Sequence, residues 1–256
     1  MAKKKGNKHF KWAFIIFVIF AIAAAFGVYE WWKNRKARFV RYPAFGISIP
    51  DDFMIHGIDV SKYQETIAWD MVKEMRVGRI QLGFAFIKAT EGVDNIDPQF
   101  KRNWKKSKQA GIIRGAYHFF LSTKDGRLQA ENFIDVVDLE IGDMPPVVDI
   151  EQTYGVNSTV FKKELKEWLD IVENHYKIKP IIYTNVDFYS RYLGKQFNDY
   201  PLWAAHYFQY DAPRIDRNWD FWQHSEEGRV NGILSKVDFN VFNGDSLQFR
   251  NILLNK

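Results

Sequence analysis

Four carboxylic acids stand inside apolar runs, where an isolated charge is costly to bury. The run MPPVVDIE carries Asp149 and Glu151 at i and i+2. On a strand those two side chains share one face, with Cα atoms roughly 6.5 Å apart. Repulsion between them would raise one pKa, which suits a general acid beside an ionised partner. Asp59 comes late in HGIDVSKYQ, and SKVDFNVF pairs Asp238 with Asn240 in the same i, i+2 relation. A strand-end Asp also serves as a helix cap, and Asp59 could do so through Ser61 and Tyr63.

Other chemistries have less support. The chain has no cysteine, which excludes thiolate metal sites, a cysteine nucleophile and a disulfide framework. Its six histidines show no HExxH or HxH spacing. His118 and His206 lie in apolar runs and suit core or pocket-wall positions. No glycine-rich phosphate loop or Gly-x-Ser-x-Gly elbow is present. No metal and no cofactor are expected. Tyr63, Phe86, Tyr117, Phe119, Tyr183, Trp203, Tyr207 and Trp222 accompany the acidic runs. Most suit core packing, and a minority at strand ends suit stacking on sugar rings. Paired acids, aromatics and no metal motif together point to glycoside hydrolysis by two carboxyl groups.

The elements that would position these groups can be read from the apolar pattern. Eight short runs suit strands: Ile55–Val60, Leu82–Ala89, Ile112–Phe120, Val147–Glu151, Pro180–Asn185, Leu202–Tyr207, Phe221–His224 and Val237–Phe242. Helical stretches separate the first five. Ile67, Met71 and Met75 recur at helical spacing, and Asp97-Pro98 opens a helix that Gly111 ends. Phe133, Val136 and Val137 mark a third helix. Phe161, Leu165, Trp168, Leu169 and Val172 form a stripe in a fourth. This alternation predicts an α/β fold, an irregular (β/α) barrel with mostly parallel strands. The closing strands lack helices, because the connections after Tyr207 and His224 carry no apolar helical stripe. Active-site residues of such a barrel come from the C-terminal strand ends.

The first fifty residues have a different character. Trp12 to Tyr29 contains no charge, and 18 residues is the lower edge of what spans a bilayer core of ~30 Å as a helix. Trp12, Tyr29, Trp31 and Trp32 sit at its ends, where amphipathic rings favour the membrane interface. The expected organisation is a basic cytoplasmic tail (1–11), a transmembrane anchor (12–32), a tether (33–52) and one catalytic domain (53–256). A cleaved signal peptide, with Ala23-Ala24-Ala25 as its cleavage site, is the competing reading. Lysines and arginines flank both ends of the span, so charge gives little orientation bias. The short tail favours an exported domain, on the periplasmic or extracellular face. Residues 1–41 hold ten Lys/Arg and one acid, whereas the remainder has a net charge of −4. The sequence pI near 9.1 therefore belongs to the membrane flanks, which removes the main argument for nucleic acid.

Eight motifs in order, GIDVSKYQ, FIKATEG, NW–SKQAGIIRGAYHFF, PPVVDIE, PIIYTN, PLWAAHY, FWQHSEEGRVNGI and VDFNVFNGD, resemble those of glycoside hydrolase family 25. These are the Chalaropsis-type lysozymes, or N-acetylmuramidases. The resemblance runs from about Ile55 to Asp245. It implies cleavage of the β-1,4 bond from N-acetylmuramic acid to N-acetylglucosamine in peptidoglycan, so the expected partners are glycan strands and, through residues 12–32, a membrane. By position, Glu151 matches the general acid. Asp149 matches the partner that orients the N-acetyl group or stabilises charge. Asp59 matches the first-strand acid, and Asp238 a fourth, looser member. Within the same motifs Tyr63, Lys88, Glu91, Tyr117, His118, Tyr183, Asn185, Trp203 and Gln223 are expected to bind substrate. Where many members carry a repeat-type wall-binding module, this sequence has the apolar span.

Overall fold

The structure is a computed structural model that describes residues 8–33, 38–209 and 211–255. Ten strands and six helices carry the argument. Helix α1 (Lys8–Lys33) precedes a hairpin of β1 (Phe39–Tyr42) and β2 (Ile47–Pro50). Then follow β3 (Ile55–Val60), α2 (Trp69–Glu74), β4 (Ile80–Glu91), α3 (Phe100–Gln109), β5 (Ile113–Phe119) and α4 (Gly126–Val136). The chain continues through β6 (Val147–Asp149), α5 (Ser158–Tyr176), β7 (Ile181–Asn185), β8 (Leu202–Ala205), β9 (Phe221–Gly228), β10 (Val237–Phe242) and α6 (Ser246–Asn251).

Strands β3 to β10 close into a barrel, in the order β3-β10-β9-β8-β7-β6-β5-β4 and back to β3. All neighbours are parallel except around β10, which is antiparallel to both β9 and β3. The eight expected runs are the eight barrel strands, and two, β3 and β10, have the expected bounds. Among the described residues no long helix follows β8 or β9, as the missing stripes predict. The direction of β10 departs from a uniform parallel barrel. It brings Asp238, near the start of its strand, level with Asp59 at the end of β3.

Two layers of apolar side chains hold the barrel. Outside, α5 buries Phe161, Leu165, Trp168, Leu169 and Val172, the expected stripe, each contributing roughly 1.5–3 kcal/mol by area removed from water. Its cap is Asn157, whose side chain accepts from the Thr159 amide. Inside, aromatics fill the lumen. Phe86 stacks on Trp203 with centroids 4.2 Å apart, and Phe84 packs edge-on against Phe221. Room for them depends on glycine. A Cβ on Gly57 would lie 2.4 Å from the Phe84 ring, closer than any packing tolerates.

The structure corrects two expectations about the outer elements. Helix α2 is one and a half turns long, and Met71 on it is half exposed, so only Ile67 and Met75 of that trio are buried. Residues 38–52 are not a loose tether. They hold the β1–β2 hairpin, whose Phe45, Ile47 and Ile49 are buried. Phe45 packs edge-on against Phe239 of β10, and Phe39 does so against Trp222 of β9. The folded domain therefore begins near Phe39, and residues 34–37 of the expected tether lie outside the described residues. Within α1, Trp12–Tyr29 is long and apolar enough to cross a membrane, and none of it is buried against the rest of the chain.

Candidate active site

The acids converge at one end of the barrel. Asp59 is the last residue but one of β3, Asp149 ends β6, Glu151 follows two residues later, and Asp238 enters from the antiparallel β10. All four line one cleft of about 420 Å³. Tyr63, Lys88, Tyr117, Tyr183, Trp203 and Gln223 line it too. Alternation on the strands explains the set. Phe84, Phe86 and Lys88 share the inner face of β4, with Lys88 nearest the rim.

Asp59 is the organising acid. It is buried, and its Oδ2 accepts from Gln223 Nε2 and Asn240 Nδ2, both at 2.8 Å. Asn240 in turn accepts from Trp203 Nε1 at 2.8 Å. Gln223 Oε1 takes the hydroxyls of Tyr183, at 2.8 Å, and Tyr207. The Trp203, Tyr183 and Tyr207 donors fix the two amides, and the amides donate to the Asp59 carboxylate, which they stabilise in charged form. Asp59 does not cap a helix; Ser61 caps the short 62–64 turn. Burial pushes the Asp59 carboxyl upward while Asn240 and Gln223 pull it down. Asp238 is pushed up to about 9, by burial first and then by the Asp59 charge and their hydrogen bond. Asp238 therefore keeps its proton at neutral pH, and Asp59, with two amide donors on its Oδ2, is the member of the pair that favours the charged form.

The second pair is Asp149 and Glu151. Asp149 is buried with Oδ1 unpartnered, and its carboxyl is pushed well above the ordinary range by burial and next by Glu151. Lys88 opposes this. Glu151 is pushed up by burial and then by the Asp59 charge, against the pull of the nearby Tyr183 hydroxyl. It is the less buried of the two and borders a second hollow, with Asn185 and His206 on its far side. A carboxyl pushed upward at the junction of two hollows is placed to protonate an oxygen bridging them.

The remaining expected binding residues divide by position. Tyr63 stands at the mouth, mostly exposed. Asn185 borders the second hollow, where its Oδ1 caps the Phe188 amide. Glu91 reaches the site through Lys88, to which it pairs at 2.6 Å. His118 is a correction. It is fully buried on the outer face of β5, stacked on Trp168 of α5. Its Nδ1 accepts from Thr90 Oγ1 at 2.7 Å, and its Nε2 faces Gln129 Oε1 at 3.2 Å. Successive strand residues face opposite ways, so Tyr117 points into the barrel and His118 cannot. Tyr207, Asn240 and Glu226 belong to the site without having been expected to bind. For Asn240 the signal was its spacing two residues after Asp238.

Residues 58–233 match the family model "Glycosyl hydrolases family 25". The chain belongs to glycosyl hydrolase family 25. It is a lysozyme-type glycoside hydrolase, and its barrel is the family's. A family 25 glycosyl hydrolase from Bacillus anthracis superposes with a TM-score of 0.74 at 30% identity, covering 83% of this chain and 99% of that one. Among curated relatives, Escherichia coli K12 "Uncharacterized protein YegX" is 47% identical over 201 residues, 78% of this chain and 74% of the relative. Streptomyces globisporus "Lysozyme M1" is 34% identical over 212 residues, 75% and 69% of the two chains. In this family 25 chain the four acids form two unlike pairs, one wired by amides and aromatic hydroxyls, the other reaching the second hollow through Glu151.

Proposed function

We propose that this family 25 enzyme is a membrane-anchored N-acetylmuramidase that cuts the β-1,4 bond from N-acetylmuramic acid to N-acetylglucosamine. The carrying observation is the Asp149/Glu151 pair, two carboxyls on one strand end, both pushed upward, with Glu151 between two sugar-sized hollows. Glu151 gives its proton to the bridging oxygen as the glycosidic bond breaks. The N-acetyl carbonyl oxygen of the muramic acid bonds to the anomeric carbon and forms a cyclic oxazolinium ion. Asp149 accepts from the acetamido N–H and balances that positive charge. While Glu151 holds its proton only burial keeps Asp149 up, and Lys88 together with the positive charge forming on the oxazolinium favours the ionised Asp149. Water then attacks the anomeric carbon, gives its proton to Glu151 and reopens the ring, with net retention. Asp59 and the protonated Asp238 hold the sugar from the opposite wall.

The apolar, unburied Trp12–Tyr29 helix supports the anchor and an exported domain. The test is mass spectrometry of a purified peptidoglycan digest, with Glu151→Gln as control. Muropeptides ending in reduced muramic acid after borohydride are expected. The variant should lose about 10²–10⁴-fold in rate, the range for general acid catalysis. Inverted anomers at the moment of cleavage would rule out the oxazolinium route, and equal turnover would remove Glu151 from its role.

A further inference from the structure

A third hollow, of about 330 Å³, lies beside the cleft, between the β1–β2 hairpin and the upper part of β9. It shares Tyr207 and Glu226 with the cleft but does not touch Glu151. The cleft and the second hollow, by contrast, meet at Glu151. If the scissile bond lies at Glu151, those two hold the sugars on either side of it. The third hollow joins the cleft at Tyr207 and Glu226, away from Glu151, and is walled by the hairpin on the outside of β9, where a branch rather than the continuing strand would go.

Its lining suits a branch of mixed polarity. Arg41 of the hairpin and Glu226 and Glu227 of β9 all line it, with Phe39 and Phe208 as apolar walls. Phe208 is 86% exposed, and its φ of 55° lies in the left-handed region that bulky residues avoid. An aromatic ring held in the open by a strained backbone is a feature of binding sites. His224 lines the same hollow, only 4% exposed, with both ring nitrogens unpartnered. Burial holds it down to about 3, so at neutral pH it is a neutral imidazole with one donor and one acceptor to spare.

We infer that this hollow is a binding site for the peptide stem that muramic acid carries on its lactyl group. The inference rests on the muramidase reading above. Arg41 matches the stem's carboxylates, Glu226 its free ammonium, and Phe39 with Phe208 its methyl groups. The hairpin is thus part of the substrate site and not only packing on the barrel.

The test compares two substrates with the full chain in mild detergent. One is peptidoglycan glycan strands bearing uncrosslinked stems, and the other is the same strands stripped of stems by an amidase. Wild type should turn over the stem-bearing strands with the higher kcat/KM. Arg41→Ala and Phe208→Ala should each lower kcat/KM on stem-bearing strands by roughly tenfold, about what one well-packed contact contributes. Both should leave the stripped strands unchanged, and Phe208→Tyr should keep the preference. Equal wild-type turnover of the two substrates, or variants that lose on both alike, overturns this inference alone. Cleavage of neither overturns the muramidase reading, and this inference with it.

Discussion

Replacing Asp238 by asparagine is expected to stabilise the protein at neutral pH, although the residue lies in the active site. In the folded chain its carboxyl is pushed up to about 9 from an ordinary value of 3.8. Between those values the folded chain holds a proton that the unfolded chain has released. The native state binds the extra proton, so stability falls as pH rises across that window, by about 1.4 kcal/mol per pH unit. Asparagine mimics the neutral acid, can donate to Asp59 in its place, and has no proton to lose. The stability gap between Asp238→Asn and wild type should therefore widen from pH 5 to pH 8 by roughly 4 kcal/mol in total. Urea unfolding of the full chain in mild detergent, followed by tryptophan fluorescence at each half unit of pH, measures it. A gap that stays flat across this range, or a variant less stable than wild type at pH 8, would refute the assignment of the proton to Asp238.

Three further outcomes follow from the geometry. Asp59→Asn removes the negative charge that helps hold Glu151 up, so the alkaline limb of the kcat/KM profile should move to lower pH; a limb that stays put separates the two carboxyls. His118→Leu strands Thr90 and Gln129 on the outer face and should cost about 2–3 kcal/mol of stability while leaving the activity per folded molecule unchanged. Loss of activity without loss of stability would return His118 to the cleft. Phe45→Ala should cost about 3–5 kcal/mol, the value for a core aromatic, because Phe45 is wholly buried under the hairpin. A surface-like loss of under ~0.5 kcal/mol would make the hairpin a loose tether after all.

What could be read from the sequence divides along physical lines. Apolar runs such as Ile55–Val60 and the stripe of α5 encode burial, and burial fixed those elements. The acids were legible because a charge in an apolar run needs a reason. The direction of β10 was not, since an apolar strand reads the same whichever way it crosses a sheet. The hairpin was missed because four-residue strands beside Pro43 and Gly46 bury one face only when the barrel wall is present. His118 was misplaced although the alternation with Tyr117 held the answer: if Tyr117 points inward, its neighbour does not. Tyr207 went unassigned because an aromatic in an apolar run is most often core, and only the Gln223 contact sets it apart.

The Asp59 hydrogen bonds have a consequence for how the enzyme is made. Its two amide partners, Gln223 and Asn240, lie 164 and 181 residues further along the chain. A ribosome must deliver nearly the whole domain before either can reach it, and pairings this distant form late in folding. Until β9 and β10 join β3, the barrel is open and the Asp59 carboxylate has no donors. A truncated or half-folded copy thus has no organised site with which to attack a glycan. The long-range wiring acts as a built-in safety catch, releasing hydrolytic power only in the completed domain.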